Sequence, residues 1–451
     1  MAPATADTIV SALDRLAGDG VVGLACSGGG DSLALLLIAS RWARQKGRAV
    51  HVFTVNHGLR AEADHEVLRV ARTARRLGWP CEVLVWNAAR RGAGLQARAR
   101  EARHRLLARA CRARQISQLM LAHTRDDQVE TVCLRLAAGG SWRSAAAMAE
   151  VAPSPAWPDG RDLTLLRPCL GVDRESLRQI LRDAGEPWIE DPSNDDLQYA
   201  RIRTRRWIGA LEQGGLDTAR LASLASEFQG LLRSERAAAW QAAQSCVELE
   251  AWGGAHICAS TWSGQAPAIR LSILDALVMA ISGEGQTPNR SRLAPLDDAL
   301  LAAAPFTGCG VRLLNDRKGG SWMIRDGGPL SGRVDRPEPD PWSDDAPVSG
   351  EAGPSRVFDG RFEIARSQGE LEWRVLGKAY QHVPDRAILD RVPGRARAGL
   401  LVGCRAGEVV EIAGLASLEG PLAARSLIAH RFCRRLLPQG AARWFDEPDA
   451  V

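Results

Sequence analysis

Ser27-Gly28-Gly29-Gly30-Asp31-Ser32 carries the most chemistry of any six residues in the chain. Three glycines let a backbone approach phosphate oxygens, and N–H groups freed ahead of a helix favour negative charge. No Lys stands in or beside the turn, so it is not the loop that grips β- and γ-phosphates through a lysine. The GxGxxG spacing of a dinucleotide fingerprint is also missing. An aspartate inside an anion cradle calls for a cation as well. The six residues therefore read as a site for the pyrophosphate of ATP with Mg²⁺, Asp31 helping to hold the metal. A plain strand-to-helix turn competes with this reading. The interleaved serines and aspartate weigh against it.

Three further stretches offer reactive groups. His123-Thr124-Arg125-Asp126-Asp127-Gln128-Val129-Glu130 brings a His and three carboxylates onto one edge. Capping and the helix dipole explain Asp126 alone. The full group suits an ammonium, a metal or both. Asn56-His57-Gly58-Leu59-Arg60 ends a second strand and favours nucleotide contact at His57. Between Arg90 and Arg114 there are nine Arg and one Glu, mostly a solvated face. Arg103 differs, because it borders an apolar stripe between Ala99 and Leu106 and can be held rigidly toward a phosphate.

These residues need a scaffold that gathers strand ends. Val21–Cys26, Ala49–Val55, Cys81–Trp86 and Gln118–Ala122 read as strands. Residues 33–39, 62–78, 95–114, 126–138 and 173–183 read as helices between or after them. The alternation predicts an α/β fold with a doubly wound parallel sheet, whose ligands lie beyond the carboxyl ends of the strands. Ser27, His57 and His123 all stand there. Residues 149–162 read as a loop. Leu216 to about Glu250 reads as a long helix, Val311–Ile324 as a hairpin and 335–356 as a linker. The resulting division is a catalytic domain over 1–208, a helical RNA-contacting domain over 209–334, the linker, and a small C-terminal domain over 357–451.

The hexad resembles the SGGxDS loop of the N-type ATP pyrophosphatases. SGGGDS, NHGLR, Ala99-Arg100-Glu101-Ala102-Arg103-His104, AHTRDDQVET, Arg167-Pro168 and Asp191-Pro192-Ser193-Asn194-Asp195 then occur in order. That series resembles the tRNA(Ile)-lysidine synthetases over roughly Val21 to Arg206. The resemblance implies an adenine nucleotide alpha hydrolase-like fold. It gives ATP and metal to Ser27, Gly28, Gly29, Gly30, Asp31 and Ser32. It gives Arg103, His123, Asp127 and Glu130 to a pocket for lysine and a target cytidine. The implied reaction adenylates C2 of the wobble cytidine in a CAU anticodon, and the lysine amine then displaces AMP. Asp127 and Glu130 suit an amine that must lose a proton; which of them takes it stays open. The chain departs from the family at three places. His104 stands for the usual Tyr, the loop Gly139 to Met148 differs, and Ile202 takes the Asn position of an Arg-Asn-x-x-Arg element. Arg201 and Arg205, a turn apart, are read as phosphate contacts to a single-stranded loop, with Trp207 and Ile208 on the buried side.

Composition narrows the classes. The net charge of +5 permits an RNA partner, but only Lys46, Lys318 and Lys378 are lysines. Such an Arg bias reflects base composition as much as function. No apolar run reaches membrane-spanning length. Asp7, Asp14 and Asp19 speak against a secretory leader, so a cytoplasmic enzyme is expected. The ten cysteines include no CxxC pair, which weighs against the rival reading as a cytidine thiolase. Intact Asp31, Asp127 and Glu130 weigh against a non-catalytic RNA-binding protein. The expected partners are tRNA(Ile) and free L-lysine, without a membrane, and a homodimer stays open.

Overall fold

The computed structural model describes residues 2–58, 63–86, 95–190, 200–215, 217–285, 288–316, 319–326, 355–365, 371–377, 383, 385–418 and 421–437. They form two compact units, the first running to Arg233 and the second from Ser234.

The first unit contains α1 (Ala2–Leu16), β1 (Val22–Ala25), α2 (Gly30–Gln45), β2 (Val50–Asn56), α3 (Ala63–Arg76), β3 (Cys81–Val85), α4 (Leu95–Ala113) and β4 (Gln118–Met120). It continues through α5 (Arg125–Ala137), α6 (Trp142–Ala145), β5 (Val151–Pro153), β6 (Thr164–Leu166), α7 (Arg174–Asp183), α8 (Ala200–Gln213) and the first half of α9 (Thr218–Cys246). The six strands lie in the order β3-β2-β1-β4-β6-β5. β1 pairs in parallel with β2 and with β4, and β6 pairs in parallel with β4. β5 runs antiparallel to β6 at the edge, so the expected parallel sheet carries one antiparallel edge strand. This strand falls in the segment read as a loop. Three residues ending in Pro153 are too few to show a period.

β1 is buried on both faces, as a central parallel strand must be. Gly23 within it is closely packed, since a Cβ there would lie 3.0 Å from Leu119 and 3.2 Å from Phe53. The strand order reverses between β1 and β4, which opens a crevice past their carboxyl ends. α2 is buried along almost its whole length. It shares one core with Ile9 and Leu13 of α1 and with Leu177, Ile180 and Leu181 of α7. Each fully buried leucine there contributes about 1.5–3 kcal/mol. Trp42 anchors that core and donates its indole N–H to Asp14 at 2.8 Å. The packing fixes α2 against α7, so that Asp31 of the first and Arg174 and Arg178 of the second reach the crevice.

The starts of α5 and α7 are tied to each other. Thr124 caps α5, its hydroxyl accepting from the Asp127 N–H while the Asp127 carboxylate accepts from the Thr124 N–H at 2.9 Å. Asp173 caps α7 by accepting from the Ser176 N–H. Across the pair, the Arg125 N–H donates to the Val172 carbonyl and the Arg174 N–H donates to Asp126, both at 2.8 Å. Farther along, Val129 and Cys133 of α5 pack on Ile208 of α8. Trp207, expected on that buried side, is instead 54% exposed, and Ile202 takes the inward place. With 3.6 residues per turn, Ile208 faces α5, and its neighbour Trp207 is rotated away from that contact.

The second unit has a five-stranded antiparallel sheet ordered Val247–Leu249, Ala255–Cys258, Gly320–Arg325, Val311–Asn315, Phe306–Gly308. Helices Pro267–Ser282, Arg290–Leu301 and Ile428–Leu436 share a core with it through Ile273, Leu277, Leu293, Leu296 and Phe432. A three-stranded and a four-stranded antiparallel sheet complete the unit. The expected hairpin is present as two of these strands. The expected linker lies, up to residue 354, outside the described residues. No helix among the described residues is long and apolar enough to cross a membrane.

Candidate active site

The crevice past β1 and β4 is a cavity of about 670 Å³. Its floor is the glycine loop. Gly28 adopts φ +87°, and a Cβ there would meet Ile189 at 2.6 Å, so the position needs glycine. Gly29 precedes α2 and supplies no side-chain cap, leaving the first N–H groups of α2 for a ligand. Ser32 is buried and organises the loop. Its hydroxyl accepts from the Ser27 N–H at 3.1 Å and donates to the Gly29 carbonyl at 3.0 Å. Ser27 is exposed, with its own hydroxyl 3.2 Å from that of Ser32. His57 stands on the cavity wall, edge-on to Trp86. Leu59 and Arg60 of the same motif lie outside the described residues.

One wall is acidic. Asp31, from the first turn of α2, and Asp127, from α5, both line the cavity. Glu130 lies one turn behind Asp127 and is only 2% exposed. Asp126 points away, to the α7 amide. A residue not singled out in the sequence connects the others. Arg174, the first residue of α7, donates Nε to Asp31 at 3.2 Å and Nη2 to Asp127 at 3.1 Å, with Glu130 at 3.7 Å. Burial opposes its charge, but Asp127, Asp31, Glu130 and Asp126 outweigh that and raise its pKa. Burial pushes the Asp31 carboxyl upward, against the pull of Arg174. Arg205 reaches in from α8 to pair with Glu130. Of the two arginines read as phosphate contacts, Arg205 thus serves an internal carboxylate, while Arg201 lines the cavity without a carboxylate partner among the described residues.

Another part of the lining is cationic. Arg100 and Arg103 of α4 line the cavity, and neither has a carboxylate partner among the described residues. Burial and the neighbouring Arg100 hold the Arg103 pKa below its usual value. Two histidines share this field. Burial, then Arg167, push His123 down to about 3, even though Asp127 pulls the other way. Burial, then Arg100 and Arg103, push His104 down to about 3. Both rings are uncharged at neutral pH. The Nδ1 of His123 is buried without a hydrogen-bond partner among the described residues. An array of guanidiniums facing a glycine cradle suits a polyphosphate. The acidic part of the same cavity suits an amine.

The divergent loop Gly139 to Met148 is firmly built. Gln128 exchanges hydrogen bonds with Met148 at 2.7 and 2.9 Å, and Arg135 donates to the Ser144 and Ala147 carbonyls. Trp142 carries Arg143 over its ring at 4.4 Å. The motif Asp191 to Asp195 lies outside the described residues.

With this geometry in view, comparison with known proteins is decisive. Residues 4–211 match the PP-loop domain family. The tRNA(Ile)-lysidine synthase of Hyphomonas neptunium is 36% identical over 295 residues, 65% of this chain and 78% of that one. That of Caulobacter vibrioides is 33% identical over 439 residues, 94% of this chain and 96% of that one. The chain belongs to the tRNA(Ile)-lysidine synthase family. The PP-loop match implies ATP as a ligand of this domain. Asp31, Arg103, His123 and Asp127, carried over from the motif series, meet around one cavity, and Glu130 stands directly behind it. Sequence reasoning missed Arg174, Arg100, Arg178 and Trp188, all of which line the same cavity. Arg174 had one readable signal, its place just after an N-capping aspartate at the start of a predicted helix.

Proposed function

We propose that the chain joins free L-lysine to C2 of the wobble cytidine of tRNA(Ile) bearing a CAU anticodon, consuming ATP and releasing AMP and pyrophosphate. The observation that supports this best is a single cavity whose lining combines a glycine cradle, arginines without a carboxylate partner among the described residues, and convergent carboxylates. An ATP-driven ligation of an amine needs all of these at once.

The residues divide the work. The Gly28–Gly30 backbone and the start of α2 hold the departing pyrophosphate. Arg100 and Arg103 stabilise the charge that builds on the α-phosphate as the cytidine oxygen attacks. Among the described residues no group of three or more His, Cys, Asp or Glu forms a metal cage. A single carboxylate at the phosphate loop, Asp31, fits Mg²⁺ held mostly by nucleotide oxygens and water. When bound, Mg²⁺ neutralises phosphate charge. Asp127 reaches the cavity and receives the lysine ammonium, while Glu130 supports it from behind through Arg174 and Arg205. The uncharged His123 ring offers hydrogen bonds to the cytidine without adding positive charge beside the amine. Arg201, on the cavity rim, takes an anticodon-loop phosphate.

The test is incubation with ATP, Mg²⁺, lysine and tRNA, followed by nucleoside mass analysis and nucleotide chromatography. A lysine adduct on cytidine with AMP and pyrophosphate is expected, and Asp31→Ala should abolish both. Release of ADP and phosphate, or an unmodified cytidine, would overturn the assignment.

A further inference from the structure

The acidic wall is assembled from three separate pieces of chain. Asp31 comes from α2, Asp127 and Glu130 from α5, and the group joining them from α7. Three carboxylates converging in a partly enclosed space repel one another, and each is costly to bury unpaired. A single planar guanidinium answers all three, with Nε toward Asp31 and Nη2 toward Asp127 and Glu130. Its backbone is fixed as well, through the N–H bond to Asp126. Its side chain is only 20% exposed. Arg205, in contrast, touches Glu130 alone among the three.

We propose that Arg174 is a positioning residue for the reaction: its guanidinium occupies the place between Asp31 and Asp127 where the cations of the working site gather, and so keeps these carboxylates convergent before substrate arrives. The proposal rests on the lysine-ligating reading for its kinetic consequence only. With Arg174 and Arg205 in direct contact, three carboxylates meet two guanidiniums, and one negative charge is left over. That residual charge admits one further ammonium. Removing Arg174 leaves a site more negative by one charge, with Asp31 and Asp127 facing each other unbridged. Such a site attracts cations more strongly but holds them less well aligned. Lysine replaces the charge but not the fork, since an ammonium on a flexible stem cannot direct two fixed N–H vectors at two carboxylates.

The experiment uses the full-length chain as wild type, Arg174→Met and Arg174→Lys. Mn²⁺ alone is titrated and followed by electron paramagnetic resonance, and lysine KM and kcat are measured in lysidine formation. Arg174→Met should bind Mn²⁺ at least tenfold more tightly than wild type. Its lysine KM should fall severalfold while kcat falls at least tenfold. Arg174→Lys should return the Mn²⁺ affinity and lysine KM toward wild type and restore kcat only in part. A residue needed merely for folding would leave lysine KM and Mn²⁺ affinity unmoved. Equal values of both in wild type and Arg174→Met, whatever happens to kcat, would overturn the proposal. If wild type makes no lysidine, the functional reading falls, and the Mn²⁺ comparison still decides the role of Arg174.

Discussion

Asp127 has one oxygen committed to the fold and one to the site, and two substitutions separate them. Oδ2 accepts from the Thr124 N–H at 2.9 Å and approaches its hydroxyl at 3.2 Å. Oδ1 accepts from Arg174 at 3.1 Å on the cavity side. Asp127→Ala removes both. The lost half of the capping box costs about 0.5–2 kcal/mol, and Arg174 keeps Asp31 and Glu130, which limits the rest. A unit of this size loses about 2–4 °C in melting temperature per kcal/mol, so a drop of about 1–8 °C is expected in the transition that ATP shifts. Asp127→Asn keeps an oxygen for the Thr124 N–H and should lose less than half as much. Both variants lose the charge opposite the ammonium. Truncating one member of a desolvated charge pair costs about 2–5 kcal/mol, or about 30-fold to several thousand-fold in kcat/KM for lysine. The assays are thermal melting with and without ATP, and incorporation of labelled lysine into tRNA. An Asn variant with near-normal lysine kinetics would refute the reasoning and leave Asp127 a helix cap only.

Arg103→Met should raise the melting temperature of the free protein by a degree or more, because it removes a half-buried guanidinium that has no carboxylate partner among the described residues, and should raise KM for ATP at least tenfold; a lower melting temperature with unchanged KM would contradict this. Arg201→Ala should weaken tRNA binding and make its salt slope shallower by about one unit, whereas Arg205→Ala should leave the slope nearly unchanged and reduce lysine transfer, since its partner is Glu130; the reverse pattern would contradict the assignment. His104 has a folded pKa of about 3 against an ordinary value near 6.5, so below about pH 6.5 the unfolded chain takes up the proton first. Its contribution to stability is therefore complete above that pH and is lost as pH falls toward 3, by up to about 1.4 kcal/mol per unit. His104→Phe should flatten the acid side of the melting-temperature profile, and an unchanged slope would rule the contribution out.

The central sheet could be read because its strands are apolar runs bounded by glycine or polar turns, as Val22–Ala25 and Val50–Asn56 are. The helices α3, α4 and α5 announced themselves through stripes such as Val67, Val70 and Ala74. β5 and β6, three residues each, carried no such signal. The phosphate loop and the His123–Glu130 cluster were legible because their residue types are improbable at a plain helix start. Arg174 was not, because one arginine among so many carries no information until three carboxylates from elsewhere are seen around it. The pairing of Arg205 with Glu130 was illegible for the same reason. A basic face on a helix looks alike whether it meets solvent phosphate or a buried glutamate, and only the packing of α8 on α5 distinguishes the two. Trp207 illustrates the limit of assigning a face by residue type alone, since the helical phase set by Ile202 and Ile208 turns it outward.

The tie between α5 and α7 also determines which substitutions depend on one another. Asp126 accepts from a main-chain amide, which every residue but proline at position 174 provides. Asp31 and Asp127 instead accept from the side chain of Arg174. In a library randomised at 31, 126, 127 and 174, position 126 should vary on its own terms, its effect adding to those of the rest. The other three should survive only in matched combinations, a small block of epistasis inside an otherwise additive site.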